Sequence, residues 1–241
     1  MCGHYRDAWK IVRNDLIRFK WGIFMTIVFS AYMAVMSGLM LKALLNGVEP
    51  ASKALKGMTD FVFLVTIPNF GFFFTRRSMR YMKDDSYTKW IRKLRILPID
   101  VKTVVLSRTM QMLVALFINM SVMLVGQYML SEKIRSLSWI SSISYVLMLI
   151  AFAIAISWVY ISLEVSLSGR LYMRYSFILL GIITVVSVLA GAANESILQT
   201  AVGVAESHPW ISVVLSIVVI VNSIVIGMNR LRKIVLKRDW I

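Results

Sequence analysis

The chain has 241 residues, of which 59% are hydrophobic and 16% charged, with a formal net charge of +15. Together with a mean hydropathy of +0.74, this excludes an ordinary soluble domain and points to an integral membrane protein. The single cysteine, Cys2, allows no internal disulfide and suits a reducing compartment.

Before the first apolar run, Tyr5, Trp9, Val12, Leu16 and Phe19 recur at steps of four and three, with Arg6, Lys10, Arg13 and Arg18 mostly elsewhere around the turn. The spacing predicts that residues 1–20 form an amphipathic helix in the membrane interface. A bilayer span needs about 20 mostly apolar residues. Five runs meet that: Gly22–Leu45, Val104–Leu130, Trp139–Leu163, Tyr175–Ala193 and Trp210–Met228. The first is too long in its apolar core for a cleaved leader and no small-residue cleavage site comes after it, so it is expected to be retained. A sixth run, Phe61–Thr75, is short. Its 15 residues rise only about 22 Å, so it crosses with the help of flanking turns, a thinned bilayer or a non-helical break at Pro68-Asn69.

The basic residues test the count. Residues 1–20 hold five, 76–108 ten, 164–174 two and 229–241 five, which is 22 of the 27 Lys and Arg. The rest are Lys42, Lys53, Lys56, Lys133 and Arg135. Cytoplasmic loops collect Lys and Arg, so the pattern predicts an all-α membrane protein of six spans with both termini cytoplasmic, in the plasma membrane. The whole chain, 1–241, reads as one transmembrane domain. Its basic face suits anionic membrane lipid, and no nucleic-acid partner is expected because no basic and aromatic segment stands free of the bilayer.

Two connecting segments carry their own pattern. In 76–100, "RRSMRYMKDDSYTKWIRKLRILPID", Asp84, Asp85 and Ser86 suit a helix start, and Tyr87, Trp90 or Ile91, Leu94 and Leu97 repeat at helical spacing until Pro98 ends the helix. In 194–209, Ile197, Ala201, Val204 and Ala205 line one side of a short helix that either re-enters the outer leaflet or lies on its surface.

The polar inventory argues against chemistry in this chain. There are two His, His4 and His208, on opposite faces by the predicted topology. Neither a zinc ligand set, a Ser-His-Asp set nor a phosphate-binding loop can be assembled. The expectation is therefore no catalytic residues, no metal, no cofactor and no nucleotide hydrolysis by the chain itself. At bilayer depth lie Asn69, Asn119, Gln111, Gln127 and Asn222. Buried amides commonly join helices, at about 0.6 kcal/mol or more each, and Asn69, Asn119 and Asn222 are also candidates to line a translocation path. Glu164 is the acid nearest a span, within reach of Arg170 or Arg108 as an interfacial ion pair.

The layout resembles the membrane subunits of type 2 ATP-binding-cassette exporters: an interfacial N-terminal helix, six spans, a basic cytoplasmic segment ending in "LPI", and a candidate re-entrant segment before the last span. In that family the cytoplasmic segment is the coupling helix, seated in a groove of a separate ATPase subunit. The positions that correspond are Asp85, Thr88, Leu94, Leu97, Pro98 and Ile99. Tyr87 stands where the family has glycine, and Thr88 lies farther from Pro98 than is usual. The resemblance implies contacts to the ATPase from Asp85, Tyr87, Thr88, Lys89, Trp90, Arg92, Lys93, Leu94, Leu97 and Pro98. It further implies a second permease subunit, identical or paralogous, and a role such as export of, or immunity to, antimicrobial or toxic peptides. The rival reading is a membrane protein independent of any ATPase, such as an immunity or sensor protein or a secondary transporter.

Overall fold

The structure is a computed structural model and describes residues 2–45, 51–73, 89 and 99–237. Every element among the described residues is helical: α1 (Cys2–Arg18), α2 (Lys20–Leu45), α3 (Lys53–Asn69), α4 (Val101–Leu130), α5 (Glu132–Ser136), α6 (Trp139–Ser166), α7 (Gly169–Ala192), α8 (Ile197–Ser207) and α9 (Pro209–Lys237). Five of these, α2, α4, α6, α7 and α9, are long and apolar enough to cross a membrane, which makes this a multi-pass membrane protein.

Local sequence explains where the helices begin and end. Ser52, Asp100, Ser138 and Ser196 precede α3, α4, α6 and α8, and each side chain accepts a bond from a backbone N–H of the first turn, as capping residues do. Pro209 occupies the first turn of α9, where its missing N–H costs nothing. At the end of α7, Asn194 adopts φ 62°. Its N–H reaches the Gly191 carbonyl and that of Glu195 reaches Ala190, both at 3.0 Å, a Schellman closure in which Asn tolerates the left-handed conformation.

Helices α4 and α6 form the centre. α2 and α1 lie on α4, α9 lies on α6, and α7 attaches chiefly through α3. Small residues permit the close crossings. Gly38 and Gly126 bring α2 to α4: a Cβ on Gly126 would stand 2.7 Å from that of Ala34. Gly57 and Gly191 do the same for α3 and α7, since a Cβ on Gly191 would stand 3.0 Å from the Gly57 Cα. Trp158 of α6 fills the space beside Gly227 of α9. Outward, α7 and α9 present Phe177, Ile182, Val185, Val214, Val218 and Val225, all exposed, as expected of surfaces that meet lipid or another chain.

Three expectations change in detail. The short second run is a helix from Lys53 to Asn69, so it starts two turns before Phe61 and stops before Thr75, and it includes the buried Asp60. Hydropathy alone leaves the charged residues at its start outside the apolar run. The N-terminal stripe divides. Val12 turns inward beside Ala8 and Asp15, whereas Tyr5 and Trp9 stay 58% and 48% exposed. Helix α1 thus docks one edge on α4 and keeps its aromatic edge outside. In 194–209 the helix forms, but it buries Leu198, Val202 and Ala205, while Ile197 and Val204 are exposed.

Asp60 explains that last rotation. Its Oδ1 accepts from the Ser196 hydroxyl at 2.8 Å and from the Leu198 N–H at 3.1 Å, and its Oδ2 accepts from the Ile197 N–H at 2.7 Å. The carboxyl group thereby takes up N–H groups that have no partner inside α8 and fixes which side of α8 faces α3 and α6. At the same end, Lys56 Nζ donates to the Asn194 carbonyl at 2.7 Å and Lys133 pairs with Glu206 at 2.7 Å. Asp60→Ala should lower stability by about 2–4 kcal/mol, since each buried donor left unmade costs about 1–3 kcal/mol. Ser196→Ala should cost about 1 kcal/mol. Thermal unfolding in detergent checks both, and an Asp60→Ala midpoint equal to that of the parent would contradict the assignment.

Candidate functional site

A buried polar constellation surrounds the end of α3. Pro68 ends the helix in favour of a tighter turn, with Phe70 N–H to the Ile67 carbonyl at 3.2 Å and Phe72 N–H to the Asn69 carbonyl at 3.1 Å, the i→i+3 pattern of a 3₁₀ turn. The chain then continues as non-helical Phe72 and Phe73. Backbone carbonyls left over by such a break need partners away from water. Ser157 of α6 donates its hydroxyl to the Pro68 carbonyl at 3.2 Å, and Asn119 of α4 donates Nδ2 to the Phe70 carbonyl at 3.0 Å. The other end of the Asn119 amide accepts from the Ser30 hydroxyl of α2 at 2.9 Å. Ser30, Asn119 and Ser157 are each 0% exposed. Gly71 completes the fit, because a side chain there would occupy the space of Ser157.

Three turns along α4 towards its start lies the second element of the site. Arg108 Nη2 donates to both carboxylate oxygens of Glu164 on α6, at 2.8 and 2.5 Å, and Nη1 donates to Gln111 Oε1 at 3.0 Å. The side chains are only 11% and 3% exposed, so this is a buried pair, and of the two arginines within sequence reach of Glu164 it is Arg108 that meets it. The Phe72 ring lies under the Arg108 guanidinium, 5.8 Å from ring centroid to Cζ, and meets Tyr160 edge-on at 6.4 Å. Thus the residues just after α3 join the polar turn at Phe70 to the ion pair at Arg108. The chemistry these residues offer is cohesive: fixed dipoles and a paired charge. Among the described residues no cluster of metal-ligating side chains occurs.

The candidate path residues are placed apart. Asn119 is buried with both ends of its amide engaged. Asn69 is exposed and donates to its own helix at the Val65 carbonyl, 2.7 Å away. Asn222 is exposed on α9. Of the coupling positions, Lys89 is helical and exposed, whereas Asp85, Tyr87, Thr88, Trp90, Arg92, Lys93, Leu94, Leu97 and Pro98 lie outside the described residues. Immediately after them, Asp100 caps α4 by accepting from the Lys102 N–H at 3.1 Å, and His4 Nδ1 of α1 bonds the Thr103 hydroxyl at 3.0 Å. The sequence pattern does not single out Ser30, Ser157, Phe72 or Asp60. Serines are too common in spans to stand out, and Asp60 sits one position before the apolar window; "PNFG" is the signal for the break.

Compared with known protein families, with curated proteins and with solved structures, the chain matches none. The ion pair lends itself to a cycle of substitutions. Glu164→Leu alone should destabilise by about 3–5 kcal/mol, because it takes away the carboxylate that the buried arginine meets, while Arg108→Leu with Glu164→Leu should recover most of that loss. Unfolding midpoints in detergent read the cycle, and simple additivity of the two single effects would contradict a direct buried pair.

Proposed function

We propose that this chain is the permease subunit of an ATP-binding-cassette exporter, with six spans, both termini in the cytoplasm of the plasma membrane and a separate ATPase subunit as partner. The observation that carries the reading is continuity. In sequence, the basic segment that ends at Pro98 leads directly into α4, whose start is capped by Asp100 and tied to α1 by His4. A displacement of that segment by a closing ATPase pair would be delivered along α4, which is bolted to α6 by Arg108 and Glu164 and reaches the turn after α3 at Asn119.

The sixth span in this reading is α3. Its Lys56 end shares contacts with Asn194, and its Phe72 end meets Arg108 and Tyr160. The helix rises about 25 Å over its 17 residues,, and the non-helical Phe72 and Phe73 extend it. A translocation path then forms between two such subunits, with the apolar faces of α7 and α9 left for lipid or the second copy. Peptide substrates rest on the resemblance alone.

Trp90→Ala combined with Leu94→Ala is expected to leave the protein inserted while weakening its ATPase complex by roughly 30-fold or more, the equivalent of about 2 kcal/mol at an interface hot spot. Co-purification in detergent measures this. Arg92→Glu with Lys93→Glu should also weaken the complex, and an acid-to-base change on the ATPase should restore it. Unchanged affinity in the double alanine variant would overturn the coupling role.

A further inference from the structure

A cleft of about 350 Å³ opens where the start of α1, the start of α4 and the end of α9 come together. Its polar lining is His4, Tyr5, Lys102, Asn229 and Arg232, and its apolar wall is Val105, Leu106 and Met228. Among the described residues no carboxylate lines it. Lys102 and Arg232 are exposed, and neither has an ion-pair partner among the described residues. One acid, Asp100, stands at the edge of the cleft without lining it, and it is directed to His4 and the α4 backbone: its Oδ1 caps the Lys102 N–H and its Oδ2 stands 3.9 Å from His4 Nε2. His4 itself is held by Thr103.

Two cations from different helices, an amide and a phenol beside an aliphatic wall form a mixed surface with a definite complement. The cations and N–H donors suit a phosphate, and the wall suits the first methylenes of an acyl chain. Basic pockets between helices on the cytoplasmic side of a membrane are where anionic headgroups bind. We propose that this cleft holds the headgroup of one anionic phospholipid, with its phosphate between Lys102 and Arg232 and its glycerol and upper chain against Leu106 and Met228. The inner-leaflet origin of that lipid rests on the topology proposed above, whereas binding itself does not. A headgroup seated there would bridge α4, immediately after the coupling segment, to α9, and so make the start of α4 sensitive to the lipid around it.

The test uses the full chain purified in detergent and read by native mass spectrometry with added phosphatidylglycerol or phosphatidylcholine. The expected result is one phosphatidylglycerol retained at least about tenfold more tightly than phosphatidylcholine. Lys102→Ala with Arg232→Ala should remove that preference. Leu106→Trp, which fills the cleft without changing charge, should also remove it. Lys233→Ala with Lys237→Ala, two exposed cations further along the same helix end, should leave it intact. If the two double variants weaken binding equally, attraction is diffuse and the site is wrong. Displacement of the lipid by millimolar inorganic phosphate would also overturn the lipid assignment, in favour of a simple anion site. None of these readouts involves an ATPase, so an incorrect exporter reading would leave the lipid result standing.

Discussion

The rest of the structure depends on how the backbone is satisfied where α3 stops. A helix that ends inside an apolar layer leaves carbonyls with no water to turn to, and each would cost several kcal/mol unmet. Here the Pro68 and Phe70 carbonyls are met by Ser157 and Asn119, and Asn119 is oriented by Ser30. Three helices are thereby drawn to one point by hydrogen bonds with distance and angle requirements. Lipid tails are as apolar as leucine, so apolar contact alone would not select that arrangement. Gly71 matters for the same reason, since only a residue without a side chain lets Ser157 come so near.

From that point the architecture extends in two directions. Towards the start of α4, Phe72 leads to the Arg108–Glu164 pair, which fixes α4 to α6 about 16 Å from Asn119 along the helix axis. A buried pair of this kind adds little net stability but makes alternative helix registers costly, because any slip strands a charge. Towards the other face, Asp60 closes α8 onto α3, and the Gly57–Gly191 crossing holds α7. Each long helix is therefore located by at least one specific polar bond or one close glycine contact, while its apolar surface supplies only the bulk of the packing. Under the proposed function these attachments make α4 a stiff element between a cytoplasmic input and the turn after α3.

Much of this is legible in the residues. The five long runs emerge as helices, three of them with bounds within three residues of those expected, whereas α7 begins six residues before Tyr175 and α9 continues nine beyond Met228; Pro68-Asn69 marks the break. The helix in 194–209 is legible as an element but its buried side is not: apolar spacing leaves a choice of neighbouring stripes, and a carboxyl group from a distant part of the chain makes the choice. Similarly, Tyr5, Trp9 and Val12 share a stripe by periodicity, yet α4 covers only one edge of it. Windows of hydropathy place the start of α3 at Phe61 because Lys53, Lys56 and Asp60 lower the average. In the fold Lys56 reaches out to Asn194 while its stem stays on the helix, and Asp60 is consumed by α8. Charges near a span lower its apparent length without shortening the helix.

The orientation of α3 is the claim on which the coupling segment, the basic inner face and the six-span count all stand. It is tested most directly by thiol labelling in intact cells, with Cys2→Ser as background and Ser52→Cys or Ser86→Cys introduced singly, one before and one after α3 in the sequence. An impermeant reagent should label Ser52→Cys from outside and should reach Ser86→Cys only after the membrane is opened. Labelling of both positions from the same side would contradict a crossing by α3, and with it the cytoplasmic placement of "KWIRKLRILPI".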